Sequence, residues 1–167
     1  MAENHTAGEG GRPAFNVVDH VSWTVPDLDA ALAFYRDVLG ATELYRMGPL
    51  DAADLPVGAD GRDWMASHVG VSGARLTLVM LKLSDNLNFQ LVQYDKPSDQ
   101  RQDVPRNCDR GGHHLAFRVD DVEAAAAWLA QHGCTPLEVI EIAEGPLAGK
   151  KNLYIQDPFG HQLELVD

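Results

Sequence analysis

The sequence predicts an α+β protein built as two tandem βαβββ modules. Three observations carry that prediction: a stretch of chain that repeats itself, the same change from strand to helix periodicity in both copies, and module ends that match. Shifting the first copy by 94 residues superposes His20 on His114, Val25 on Val119, Asp27 on Asp121, Ala30 on Ala124, Ala31 on Ala125 and Ala33 on Ala127, six identities between His20 and Phe34. Trp23 with Phe117, Leu28 with Val122 and Asp29 with Glu123 are conservative pairs in the same alignment. At the other end, Phe89-Gln90-Leu91-Val92 aligns with Leu163-Glu164-Leu165-Val166.

In chain order, residues 1–14 read as a flexible tail and the first module runs from 15 to 97. Val21, Trp23 and Val25 alternate with Ser22 and Thr24, the period of two of a half-buried strand. Asp27 is a short acceptor suited to capping a helix, Leu28, Leu32 and Tyr35 form an apolar stripe along it, and Gly40 stops it. Three strands follow, at roughly 42–45, 75–83 and 88–94. From His20 to Gln90 is 70 positions but from His114 to Glu164 only 50, so the first module carries an insertion, placed at about 46–65. The Gly-, Pro- and Asp-rich stretch 47–63 supplies most of it, and a short helix over 64–69 follows. Polar residues 98–110 link the modules.

The second module, 111–167, repeats the plan. Leu115, Phe117 and Val119 alternate with Ala116 and Arg118, Asp121 caps the next helix, and Val122 and Leu129 lie on its apolar stripe. Gly133 ends that helix, and strands are expected at 137–142, 152–156 and 162–166. Asp157-Pro158-Phe159-Gly160 makes the turn before the last of them.

Composition narrows the function. Thirteen Lys and Arg against 25 Asp and Glu give a net charge of −12, which repels phosphate backbones and anionic lipid surfaces; nucleic acid and membrane are therefore excluded as partners. Small molecules, cations and other proteins remain. No apolar run reaches the ~18 to 20 residues that span a bilayer, and the first residues have no basic start followed by an apolar stretch, so a cytoplasmic protein is expected. Cys108 and Cys134 sit in no metal-type spacing and read as two reduced thiols.

The chemistry is expected where the repeat places polar donors. His20 and His114 each share the strand face opposite the large apolar side chains, with Ser22 and Thr24 in one copy and Ala116 and Arg118 in the other. Gln90 and Glu164 close the two modules at equivalent positions. Two imidazoles and two oxygen donors suit a divalent metal of intermediate softness. His113 points to the opposite face; His5, His68, His132 and His161, in tail, short helix, helix end and turn, read as exposed. Lys150 and Lys151 read as part of a solvated loop.

Four segments together carry a family likeness: Asp19-His20-Val21, Phe34-Tyr35-Arg36-Asp37-Val38-Leu39-Gly40, His114-Leu115-Ala116-Phe117, and Asp157-Pro158-Phe159-Gly160-His161-Gln162-Leu163-Glu164-Leu165. They resemble the vicinal oxygen chelate superfamily of glyoxalases, bleomycin resistance proteins and extradiol dioxygenases, over nearly everything from Asn16 to Val166. The resemblance implies a curved mixed sheet around a metal cleft, with a divalent ion (Zn, Ni, Co, Fe or Mn) held by His20, Gln90, His114 and Glu164. It also implies a small-molecule substrate and a homodimer. Methylmalonyl-CoA epimerases of that superfamily carry glutamine at the position of Gln90, glyoxalase I carries glutamate there, and extradiol dioxygenases take no ligand from it. The ligand pattern is thus closest to the epimerase. The activity implied is that of a lyase, isomerase or epimerase working through a metal-chelated enolate, with Glu164 as the catalytic base. Two alternatives stay open: an extradiol-type dioxygenase using His20, His114 and Glu164, and a drug- or metabolite-sequestering protein of the bleomycin-resistance type. The second base stays open among Glu43, Asp51, Glu141 and Glu144, as does whether the ligands meet within one chain or across a swapped dimer.

Overall fold

The computed structural model describes residues 15–167, so the tail expected at 1–14 lies outside the described residues. The first sheet comprises β1 (His20–Thr24), β2 (Thr42–Asp51), β3 (Arg75–Ser84) and β4 (Leu87–Lys96) in the order β1-β4-β3-β2. Helix α1 (Leu28–Asp37) returns the chain across the sheet, so β1 lies parallel to β4, while β3 is antiparallel to both its neighbours. The second sheet repeats this with β5 (His114–Arg118), helix α3 (Val122–Gln131), β6 (Thr135–Pro136), β7 (Ile140–Glu141), β8 (Lys151–Gln156) and β9 (Gln162–Val166). Its order is β5-β9-β8-β6, with β7 also on β8 and β5 parallel to β9.

Local chemistry sets the helix ends. Asp27 accepts a hydrogen bond from the Ala30 amide and Asp121 from the Ala124 amide, each at 2.9 Å, satisfying a donor that the first turn leaves free. Gly40 at φ 77° and Gly133 at φ 88° turn the chain out of each helix in the left-handed region that a side chain resists. The apolar faces then bury together. Trp23, Tyr35 and Phe89 of the first module and Val122, Leu153 and Leu163 of the second belong to one hydrophobic cluster. Hydrogen bonds cross between the modules: Tyr35 Oη donates to Asp157 Oδ2 at 2.8 Å, Trp128 Nε1 to the Val38 carbonyl at 3.1 Å, and His161 Nε2 to the Thr24 carbonyl at 3.2 Å.

The inserted segment has a core of its own. Ala52, Met65 and Ala74 pack on Leu76 of β3 and Val92 of β4, with a 3-10 turn at Ala52–Asp54 and helix α2 (Trp64–His68) as the covering layer. Asp63 ties it down by accepting from the Ala66 amide at 2.8 Å, Ser72 Oγ at 2.7 Å and the Gly73 amide at 3.2 Å.

The structure corrects several expectations. A curved sheet wrapped around a metal cleft is not what forms: among the described residues there are two separate open sheets, with β1 hydrogen-bonded to β4 alone and β5 to β9 alone. The modules join instead through the shared core and the hydrogen bonds above. Of the strand expected at 137–142 only β7 forms, with β6 lying just before that range, and β2 runs on to Asp51 through two register shifts. His161, expected exposed, is buried at 6% and stacks on Trp23 of the other module with ring centroids 4.4 Å apart. Among the described residues no helix is long and apolar enough to cross a membrane.

Both cysteines are free, Cys108 exposed and Cys134 buried. Burial, helped by the charge of Asp157, pushes the Cys134 thiol up to about 11. Alkylation of the native protein at pH 8, followed by mass spectrometry, is expected to modify Cys108 alone, with Cys134 reacting only after denaturation. Equal labelling of both in the native state would contradict this burial.

Candidate metal centre

The register of each sheet decides which side chains share a face. In the first, His20 lies beside Asn88 and Ser22 beside Gln90, so His20, Ser22, Asn88 and Gln90 stand on one side while Trp23, Phe89 and Leu91 enter the core. In the second, His114 lies beside Gln162, Ala116 beside Glu164, and Glu164 beside Tyr154. Each module thus presents one imidazole and one oxygen donor on its outer face.

The first pair is held by near neighbours. Asp19 Oδ1 and His20 Nδ1 are 2.6 Å apart, an arrangement that fixes the ring and leaves Nε2 as the outward donor. Ser22 Oγ donates to Gln90 Oε1 at 2.9 Å.

The second pair touches directly: His114 Nε2 and Glu164 Oε2 are 3.1 Å apart. Two adjacent donors on one ion, with bonds of about 2.1 Å, stand about 3 Å apart, so this pair fits a divalent cation. Asn152 Nδ2 donates to Glu164 Oε1, and the ring edge of His114 meets Tyr154 at 5.2 Å between centroids. Partial burial, with the charge of Glu164 and a hydrogen bond to it, raises the Tyr154 phenol.

The four expected ligands do not meet within one chain. Among the described residues no three His, Cys, Asp or Glu side chains come together that could hold a metal. The two pairs lie on separate sheets whose joining surface is the opposite, apolar side. Beside the first pair, the donor face continues into Met80, paired with Tyr45, and Leu78, paired with Met47. Met80 is buried and Leu78 packs against the core of the inserted segment, whereas Tyr45 and Met47, at 47% and 48% exposed, leave an apolar edge open. A cavity of about 420 Å³ lies elsewhere, between β1 and the linker; Trp23, Arg101, His113 and His161 line it, and none of the four expected ligands does.

Of the four acids considered as a second base, Asp51 is committed to structure. It accepts from the Ala53 amide and from Lys96, and these bonds hold its carboxyl below the usual range. Glu43, Glu141 and Glu144 are exposed. Asn152 and Tyr154 were not singled out from the sequence, although a signal was present. A tight turn between strands at 152–156 and 162–166 places Tyr154 opposite Glu164, and the period of two places Asn152 on the same face.

Residues 17–165 match the Glyoxalase/Bleomycin resistance protein/Dioxygenase superfamily, and the chain belongs to that superfamily. It is 43% identical over 160 residues to a 2-epi-5-epi-valiolone epimerase of Actinomyces sp, covering 94% of this chain and 82% of that protein. The fold is shared with a glyoxalase family protein from Bacillus cereus, at a TM-score of 0.73 and 18% identity over 94% of this chain and 97% of that one. It is also shared with the fosfomycin resistance protein FosX of Listeria monocytogenes, solved with Mn(II) and sulfate, at a TM-score of 0.52 and 16% identity over 92% and 93% of the two chains. Kinship with enzymes of this superfamily supports an enzymatic activity in general terms.

Proposed function

We propose that this protein is a metal-dependent epimerase that inverts a stereocentre next to the carbonyl of a small hydroxylated ketone, and that its site forms between two copies of the chain. The observation that carries the reaction class is the 43% identity, over 94% of the chain, to an enzyme named as an epimerase of 2-epi-5-epi-valiolone. The ligand-pattern likeness to methylmalonyl-CoA epimerase agrees in reaction class; the thioester is not carried over.

The geometry suits this chemistry. His114 and Glu164 offer one half of a donor set and His20 and Gln90 the other, on faces that a single chain leaves apart. A second copy would bring the two halves together and cover the apolar Tyr45 and Met47. A divalent cation there would supply Lewis acidity, making a C–H bond next to a carbonyl more acidic. Glu164 is the base we assign to accept the proton from the substrate carbon. Delivery of a solvent-derived proton to the opposite face of that carbon, by an acid other than Glu164, completes the inversion.

The test is isotopic. The manganese-loaded protein, given 2-epi-5-epi-valiolone in deuterated water, is expected to yield a second epimer carrying one solvent deuterium at the inverted carbon. Glu164→Gln should slow this about 10² to 10⁴-fold, the usual worth of a general base. A second epimer free of deuterium would sink the proton-transfer reading. Oxygen consumption with ring cleavage would favour the dioxygenase alternative, and tight binding without chemical change the sequestering one.

A further inference from the structure

We infer that Asn152 is a positioning residue that decides which oxygen of Glu164 works. The inference rests on the metal-centre reading above and adds a residue that the ligand pattern does not contain. Asn152 lies in β8 and is only 7% exposed, and its Nδ2 donates to Glu164 Oε1. A buried amide costs stability unless its polar atoms find partners, so its place here has to be accounted for.

The internal repeat supplies the control. Gln90 and Glu164 are equivalent and 74 positions apart; the same shift places Leu78 opposite Asn152 and Met80 opposite Tyr154. The strand pairings agree, for Leu78 pairs with Val92 as Asn152 pairs with Val166, and Met80 with Gln90 as Tyr154 with Glu164. The first module therefore builds the same strand with two apolar residues. The fold does not demand polar groups at these positions; they occur in the module that carries the carboxylate.

The consequence is geometric. An unrestrained glutamate turns about its last torsion and exchanges its two oxygens. With Oε1 engaged by Asn152, Oε2 is the oxygen left 3.1 Å from His114 Nε2, and the carboxylate serves through that single atom.

Asn152→Leu installs the residue of the sister module and makes the test direct. Manganese affinity, measured by calorimetric titration of the intact protein, is expected to fall about 10 to 100-fold. The unfolding temperature in chelator should stay within a few degrees of wild type, because Leu suits this strand position. A folded Asn152→Leu protein with wild-type manganese affinity overturns the inference. If that variant does not fold, Asn152→Ser takes its place, with weakened affinity expected and unchanged affinity again overturning. Failure of the wild type itself to bind manganese would defeat the metal-centre reading, and this inference with it; that outcome differs from wild-type and variant binding equally well.

Discussion

Mixing a His20→Ala chain with a Glu164→Gln chain is expected to restore about a quarter of the wild-type sites, although each variant alone is at least about 10²-fold slowed. The expectation follows from the separation of the two donor pairs. If His20 and Gln90 of one copy face His114 and Glu164 of another, a symmetric dimer has two sites, each drawing on both chains. A homodimer of either variant then damages both of its sites. In the mixed dimer one site takes both substitutions and the other none. Random reassortment makes about half of the dimers mixed, with one of two sites intact, hence about a quarter overall. Recovery would be read both as solvent-deuterium incorporation and as bound manganese, after co-refolding at equal concentrations. A site closed within one chain gives no recovery at any mixing ratio, because every chain then carries its own defect. Recovery near the quarter would place the ligands in trans; none would overturn the shared site.

The modules were legible in the sequence because their signals are local. Period-two alternation from Val21 to Val25 and from Leu115 to Val119, and aspartate caps before two alanine-rich helices, depend only on near neighbours. What the sequence did not disclose depends on distant partners. His161 follows a turn and looks exposed until Trp23, from the other module, lies over its ring. The extension of β2 was hidden because Gly48 and Pro49 interrupt its pattern while β3 continues to pair with it beyond the irregularity. The donor faces could be read from alternation alone. Where they meet could not, since that depends on how apolar faces pack, within the chain and between copies. Asn152 lay between these cases: its position was readable, but its significance required the contact with Glu164.

Asp157→Ala is expected to be among the most destabilising single changes in the protein, at about 4 kcal/mol, because it strands three donors, two of them buried. Asp157 is 4% exposed. Its Oδ1 accepts from the amides of Phe159 at 2.9 Å and His161 at 2.8 Å, shaping the turn into β9, and its Oδ2 accepts from Tyr35 Oη at 2.8 Å. Tyr35→Phe removes only the last of these and should cost about 1 to 2 kcal/mol. Asp157→Asn keeps an oxygen for the two amides and turns its NH₂ toward the Tyr35 hydroxyl, which can accept, so it should cost far less than Asp157→Ala. The comparison also has a pH signature. Burial raises the Asp157 carboxyl above its usual value, outweighing the Tyr35 hydrogen bond, the charge of His161 and the backbone amides that pull it down. A raised acid favours the folded state fully below the unfolded value of about 3.9, and that contribution is lost as pH rises through the folded value. Tyr35 is itself raised well above its usual value and Cys134 lies at about 11, so neither titrates in that window; burial lowers His161, which both proteins retain. Measured by urea unfolding, the stability of Asp157→Asn relative to wild type should therefore improve as pH rises from about 4 through the folded value. A difference that narrows toward acid instead would show that the ionised carboxylate, and not its burial cost, dominates the junction between the modules.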